Sequence, residues 1–436
     1  MELDGDAIAV LSFVLMFVLM LMRVPIGIAM GISGIIGYGL VVGWEPALAL
    51  LGQVPISTVT DYKLSLIPMF ILMGSFASAS GLSRELFHAG DAWLGHLRGG
   101  LCLATIAACG SFAAINGSSV ATAATMTNVA LPEMRRAGYE PGLAAGLIAA
   151  GGTLGIMVPP SVILVLYSIM TETDVFKLFA AGIIPAFMAM AMYACVVQVI
   201  GIIRPEAMPR GRPHSWPERF DALRGIWAAV LLFTIVFGGM FSGIFLVSEA
   251  AGVGAIGALI IGVLRGRLSR AGIMACLVSS LRVSASIMVI VIGAYLFGYA
   301  LTVTQATQKV VDLMVHLPIG PYGVLTLVMI GYLLLGAIMD ELAMILLTVP
   351  IVFPAMVQLG FDPVWFGIII VMACTLGMIC PPVGMNVFVI NSIARDISLI
   401  KIYRGTMPFI ASDMIRLVIL CAFPAISLFL PRLFAG

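Results

Sequence analysis

Two stretches of this sequence carry residue types whose spacing could do chemistry: "TLGIMVPPSV", Thr153 to Val162, and "TLGMICPPVG", Thr375 to Gly384. The first lies inside an apolar run, Leu143 to Met170, long enough to cross a bilayer as a helix. A proline lacks the amide proton and clashes with the carbonyl four residues back, so each pair must break its helix. Pro159 and Pro160 thereby release the carbonyls of Gly155 and Ile156, and Pro381 and Pro382 release those of Gly377 and Met378. In hydrocarbon an unsatisfied carbonyl costs several kcal/mol, so broken helices survive only where protein, water or a ligand covers them. A hard cation or a polar substrate is the ligand such carbonyls suit.

Two polar stretches have matching chemistry. "NGSSVATAAT" offers Asn116, Gly117, Ser118, Ser119, Thr122 and Thr125, whose oxygens can bind a cation or a carboxylate. The competing reading is small-residue helix packing with hydrogen bonds between helices. "MDELAM" offers Asp340 and Glu341, which stand 222 positions after Ser118 and Ser119. Ionisable residues inside membrane segments are functional by default. Neighbouring helical residues point about 100° apart, so one of the two should face the centre, and Asp340 is the one expected there. Glu249 is placed near an interface, and Asp413 and Arg416, at i and i+3, should pair with one another.

Other chemistries fail. No lysine stands in a GK[ST] context, which excludes a P-loop ATPase. All four histidines lie outside the expected spans, so a membrane zinc protease or serine–histidine protease lacks its base at depth. The polar residues converge on hairpin tips rather than on a catalytic constellation. The seven cysteines form no CxxC pair and read as reduced apolar residues. A net charge of +1 gives no footprint for nucleic acid.

The elements that must position these residues are membrane helices. Of 436 residues, 61% are apolar and 10% charged, against about half and about a quarter in soluble domains. The acidic start "MELDGD" is unlike the basic start of a signal peptide, so Ala7–Met22 reads as a retained first span. Sliding the chain by 222 positions lays Pro132, Gly138, Pro141, Thr153, Gly155, Pro159 and Pro160 on Pro354, Gly360, Pro363, Thr375, Gly377, Pro381 and Pro382. The chain is an internal duplication.

Arginine placement gives orientation. The linker 204–224 carries five arginines and should be cytoplasmic. Crossings then fall near 7–22, 24–43, 64–80, 143–170 and 176–203, with 100–130 a re-entrant hairpin. The second half crosses near 226–246, 248–264, 284–303, 364–392 and 406–430, with 321–357 a hairpin from the opposite face. Five crossings per repeat make the repeats, 1–203 and 225–436, inverted and put both termini on the periplasmic side. The expected fold is an all-α polytopic membrane protein of two inverted repeats, with two re-entrant hairpins and two discontinuous helices. That arrangement points to the binding site of a secondary transporter.

"NGSSVATAAT", "PEMRRAGYEPGLAAGLIAAGGTLGIMVPPSVILVLYSIMTETDVFKLFAAGIIPA", "SEAAGVGA", "MDELAMILLTVPIVFPA" and "CTLGMICPPVGMNVFV" resemble the large membrane subunit of tripartite ATP-independent periplasmic (TRAP) transporters. The resemblance spans nearly the whole chain. It implies a non-enzymatic, sodium-driven importer of organic acids, such as C4-dicarboxylates or sialic acid, in the bacterial inner membrane. It implies an elevator mechanism and no cofactor beyond sodium as coupling ion. The implied partners are a small four-helix membrane subunit, a periplasmic substrate-binding protein and membrane lipid, neither protein being fused here. By similarity the substrate and sodium sites fall on Asn116, Gly117, Ser118, Ser119, Thr153, Gly155, Ile156, Pro159, Pro160, Ser161, Asp340, Thr375, Gly377, Met378, Pro381, Pro382, Gly384 and Asn386. Sodium itself is placed at Ser118, Gly155, Asp340 and Gly377. Cys380 departs from the hydroxyl residue usual before the second double proline, which leaves the carbonyls there to bind. The alternative is a stand-alone sodium/dicarboxylate symporter of the related inverted-repeat superfamily.

Overall fold

The elements follow the duplication helix by helix. In the computed structural model, which describes residues 4–211 and 213–434, the first repeat runs α1 (Gly5–Leu21), α2 (Ile26–Val42), α3 (Trp44–Thr60), α4 (Leu66–Ala79) and α5 (Leu82–Leu94). A hairpin of α6 (Gly100–Asn116) and α7 (Ser119–Arg136) follows. Next come the broken pair α8 (Pro141–Met157) and α9 (Val162–Thr171), bent by 42°, and then α10 (Val175–Ile203).

The linker carries the short α11 (Trp216–Gly225), and the second repeat follows it. That repeat runs through α12 (Trp227–Phe233), a π turn and α13 (Gly239–Phe241), then α14 (Val247–Leu264), α15 (Arg270–Val303) and α16 (Ala306–Val315). Its hairpin is α17 (Gly320–Gly336) with α18 (Glu341–Gln358), and its broken pair is α19 (Pro363–Gly377) with α20 (Met385–Ile393). The chain closes on α21 (Leu399–Ala422) and α22 (Ala425–Phe434). Six helical segments, one of them α4 together with the turn Tyr62–Ser65 before it, are individually long and apolar enough to span a membrane, and two bent pairs also meet that test.

Three elements differ from the sequence expectation. Residues 44–60 are expected to connect crossings, yet they form α3, an apolar helix that ends at Asp61, whose side chain accepts from the Lys63 amide and starts the next turn. The crossing expected at 284–303 begins 14 residues earlier, as the 34-residue α15. One cause covers both: the Asp61–Ser65 breaker of the first repeat has no equivalent in the second, so what is α3 plus α4 there becomes one rod. At 1.5 Å per residue that rod is about 51 Å long, well beyond a hydrocarbon core of about 30 Å. The crossing expected at 226–246 is interrupted by the π turn Thr234–Gly238.

Packing is reciprocal between the repeats. The helix α2 lies along α15, and its counterpart α14 lies along α4. The half-helices are exchanged, with α20 packing on α7 of the first hairpin and α9 on α18 of the second. Each hairpin is therefore held by its own repeat's broken helix and by the second half of the other's. Both α8 and α19 are buried along almost their whole length. This explains why neither shows an amphipathic stripe in its sequence: a helix apolar all round is one surrounded by protein.

Candidate functional site

Hairpin tips meet helix breaks in both repeats. In the first, α6 ends at Asn116, Gly117 takes a left-handed φ of +65°, and Ser118 caps α7 by accepting from the Ala121 amide at 3.4 Å. The left-handed turn reverses the chain within two residues, which costs little only for glycine. A β-carbon on Gly117 would stand 2.3 Å from the Pro160 carbonyl oxygen, and one on Gly155 would stand 2.5 Å from that of Ser118. Tip and break are in backbone contact. Asn116 packs against Gly74 of α4, and its amide reaches Thr122 at 3.4 Å.

The carbonyls of Gly155 and Ile156 accept no hydrogen bond among the described residues, because the donors that would follow are Pro159 and Pro160. Those two prolines, joined by a cis bond, are buried together with Ser161, which caps α9 by accepting from the Leu164 amide. The hydroxyl of Thr153 donates back to the Ala150 carbonyl at 2.6 Å, and that of Thr375 does the same to Met372 at 2.7 Å.

The second break is built differently, which corrects the expectation of two equivalent sets of released carbonyls. The Cys380 amide reaches the carbonyl of Gly377 at 3.3 Å, and the Asn386 amide reaches that of Met378 at 3.2 Å. Here α19 stops three residues short of the first proline and tightens, so the chain satisfies its own carbonyls. The Tyr403 hydroxyl of α21 lies 3.0 Å from the carbonyl oxygen of Pro382 and 2.6 Å from that of Val383. Pro381 and Pro382, also joined by a cis bond, are exposed, and Gly384 takes a φ of +54° to start α20. The backbones of Gly336 and Gly377 touch, bringing the second tip against the second break.

The two carboxylates at that tip sit in different backbone positions. Asp340 is the N-cap of α18 and accepts from the Leu342 amide at 3.2 Å, while Glu341 is 8% exposed. Its Oε2 has no hydrogen-bond partner among the described residues. Asp340 was expected to face the centre as a helical residue; as a cap it lies outside the helix, so the 100° argument does not apply to the pair. Buried polar groups without partners are rare in folded proteins.

One residue ties the two halves together. Asn386, fully buried in the first turn of α20, donates to the Ser119 hydroxyl at 2.7 Å and to the Ala149 carbonyl at 3.1 Å. Its Oδ1 has no partner among the described residues. The N-termini of α7 and α20 therefore converge, and their dipoles present partial positive charge to one place, as anion sites do. The uncharged oxygens where the first tip meets the first break (Gly155, Ile156 and Ser118) and, at a separate place, the Asp340–Glu341 carboxylates of the second tip are donors of the kind sodium takes, and these are the residues that would hold it. Bound there, sodium would offset substrate and carboxylate charge.

A second polar cluster was not legible in the sequence. Asp413 and Arg416 of α21 pair at 2.8 Å as expected, but each is only 1% exposed. Tyr193 of α10 donates to Asp413 at 2.6 Å and lies 3.4 Å from the Thr153 hydroxyl, while Arg416 donates to the Pro185 carbonyl at 3.3 Å. The network thus joins α10 and α21, equivalent helices of the two repeats, to the turn before the first break. Tyr193 carries no motif, and only its place opposite Asp413 reveals it.

With this geometry in hand, comparison with known proteins decides the family. Residues 13–426 match the family described as "Tripartite ATP-independent periplasmic transporter, DctM component". The chain belongs to the DctM component family of TRAP transporters. The permease is 36% identical over 379 residues to the C4-dicarboxylate TRAP transporter large permease protein DctM of Pseudomonas aeruginosa, covering 86% of this chain and 87% of that one. It is 31% identical over 385 residues to the sialic acid TRAP transporter large permease protein SiaM of Vibrio cholerae, covering 87% and 88%. Among solved structures, the Alcanivorax borkumensis YdaH transporter shares the fold, with a TM-score of 0.64 at 13% identity over 87% of this chain and 89% of that one. The permease is a transporter component, not an enzyme, and a multi-pass protein of the bacterial inner membrane.

Proposed function

We propose that this permease carries an organic acid inward under a sodium gradient, taking it from a periplasmic binding protein and working beside a small four-helix membrane subunit. The observation that carries this reading is the junction at Asn386 and Ser119, where two helix N-termini meet near the unbonded carbonyls of the first break. The dipole ends suit the substrate's carboxylate, and the oxygens suit sodium, as discontinuous helices do in secondary transporters. The linker 204–224 faces the cytoplasm and both termini face the periplasm. The two hairpins and the two broken helices, interlocked by the exchange of α9 and α20, move as one transport body against α2, α4, α14 and α15. C4-dicarboxylates and sialic acid, named for the relatives above, head the substrate panel.

The test is uptake into proteoliposomes. Permease, small subunit and cognate binding protein together should accumulate one of these acids only with an inward sodium gradient, and choline or potassium in place of sodium should abolish it. Equal rates under a proton gradient alone would overturn the coupling. Robust uptake by the permease by itself would favour a stand-alone symporter.

A further inference from the structure

Each hairpin's second helix borders a cleft against the short amphipathic helix of its own repeat, and the two clefts differ in charge. In the first repeat α7 and α5 enclose two adjoining spaces of about 560 and 300 Å³ that share Arg84, Asn128 and Val129. Arg267 lines one of them and Arg136 the other. In the second repeat α18, α16 and α15 enclose about 460 Å³ lined by Tyr299, Thr302, Gln305 and Gln308, with Pro350 where the first cleft has Asn128. Among the described residues, no charged side chain lines that second space.

The positive charge of the first cleft is not consumed locally. Glu85 is held bidentately by Arg265 at 2.6 and 2.7 Å and by Arg267 at 3.0 Å, so one carboxylate serves two guanidinium groups. Arg136 is matched by Glu133 at 2.8 Å, and Arg84 makes no ion pair among the described residues. The surplus is carried by Arg84 and Arg267. A stripe on α7 leads from these arginines to the tip, with Asn128, Thr125, Ala124, Ala121 and Ser118 exposed or half-buried at successive turns. At 1.5 Å per residue Thr125 lies about 10 Å from Ser118.

We propose that this cleft is the release vestibule for the carboxylate substrate, with Arg84 and Arg267 holding it after it leaves the tip. The assignment rests on the anionic substrate and the inward-facing arginines of the function proposed above. A cytoplasm negative inside opposes an anion moving inward across the field. A cleft with a surplus of one sign of charge, as Arg84 and Arg267 give this one beside the paired Arg136 and Glu133, raises the local concentration of its counter-ion by about tenfold or more. The neutral cleft of the second repeat has no such task, because that face receives substrate from outside.

The test places a single cysteine at Asn128, in a background without native cysteines, in the permease–small-subunit complex in inside-out membrane vesicles. The anionic sulfonatoethyl thiosulfonate should modify it about tenfold faster than the cationic trimethylammonium reagent. That preference should fall to near one with Arg84→Gln and Arg267→Gln together. Succinate with sodium should slow modification, and the double variant should need about tenfold more succinate for the same protection. A cysteine at Gln308, probed in right-side-out vesicles, should show no charge preference. Equal rates for the two reagents at Asn128, or a preference that survives both substitutions, would overturn the vestibule. Protection by phosphatidylglycerol but not by succinate, comparing vesicles with and without that lipid, would assign the arginines to lipid phosphate instead. The reagent preference reads cleft charge whatever is transported, so it stands apart from failure of dicarboxylate uptake in the proteoliposome test.

Discussion

Gly155→Ala asks how closely the first tip must sit on the first break. The added methyl group would lie 2.5 Å from the Ser118 carbonyl oxygen, 2.8 Å from its carbon and 3.0 Å from the Ser119 nitrogen, where ordinary contact begins at 3.4 Å. All three atoms are backbone, so no side chain can swing aside. The tip must retreat by about 0.9 Å, and overpacking of this kind costs about 1–3 kcal/mol. The functional effect should be larger than the structural one. A displacement near 1 Å in a positioned set of groups can cost on the order of 100-fold in rate, and here it parts the Gly155 carbonyl from Ser118. Gly110→Ala is the control: it lies in α6 of the same hairpin, but its methyl meets the Met190 thioether at 2.5 Å, the movable end of a flexible side chain. Sodium-dependent uptake in assembled proteoliposomes, with thermal unfolding measured alongside, should show Gly155→Ala folded but impaired about 100-fold and Gly110→Ala close to wild type. If both variants transport equally well, backbone contact between tip and break is not what builds the site.

Asn386→Ala and Asn386→Asp each remove the donor that joins α20 to Ser119 and Ala149, and each should cost about 1–3 kcal/mol of stability, read by thermal unfolding, with uptake falling alongside; an unchanged melting temperature would refute the tie. Asp413→Asn leaves Arg416 buried without its counter-charge and should destabilise by about 3–5 kcal/mol, whereas replacing both by leucine should recover most of that loss; a double variant no more stable than the single would count against a structural pair. Glu341→Gln should raise the sodium concentration for half-maximal uptake at least as much as Asp340→Asn, since Glu341 is the buried carboxylate with an unpartnered oxygen; sensitivity of Asp340→Asn alone would restore the cap residue as the cation's partner. Single cysteines at positions 4 and 214 should label with an impermeant maleimide from opposite sides of the membrane, and labelling of both from outside intact cells would contradict the inverted orientation.

The order of elements was written in the residues themselves. Double prolines, polar tips and arginine placement are local signals, each acting through its own backbone or its own depth in the membrane. They suffice for two hairpins, two breaks and a repeat offset of 222. The candidate site residues beyond these signals rest on the resemblance to the TRAP large subunit.

What the sequence left open depends on contacts between distant segments. Nothing in Pro159 and Pro381 distinguishes their breaks. The released carbonyls stay free at the first, whereas at the second those of Gly377 and Met378 are met by the Cys380 and Asn386 amides, because there the helix stops short of the prolines and tightens. Asp340 and Glu341 are neighbours in the chain, and only the end of α17 decides that one caps a helix while the other is buried. Tyr193 and Asp413 stand 220 residues apart and meet because α10 and α21 pack as equivalents. The charge surplus beside α7 likewise exists only where Arg84 and Arg267 are brought to one cleft. Local rules fix where a helix starts and breaks. Which freed oxygen or buried charge keeps no partner is a property of the whole packing, because in a membrane each such group must find its partner in another helix.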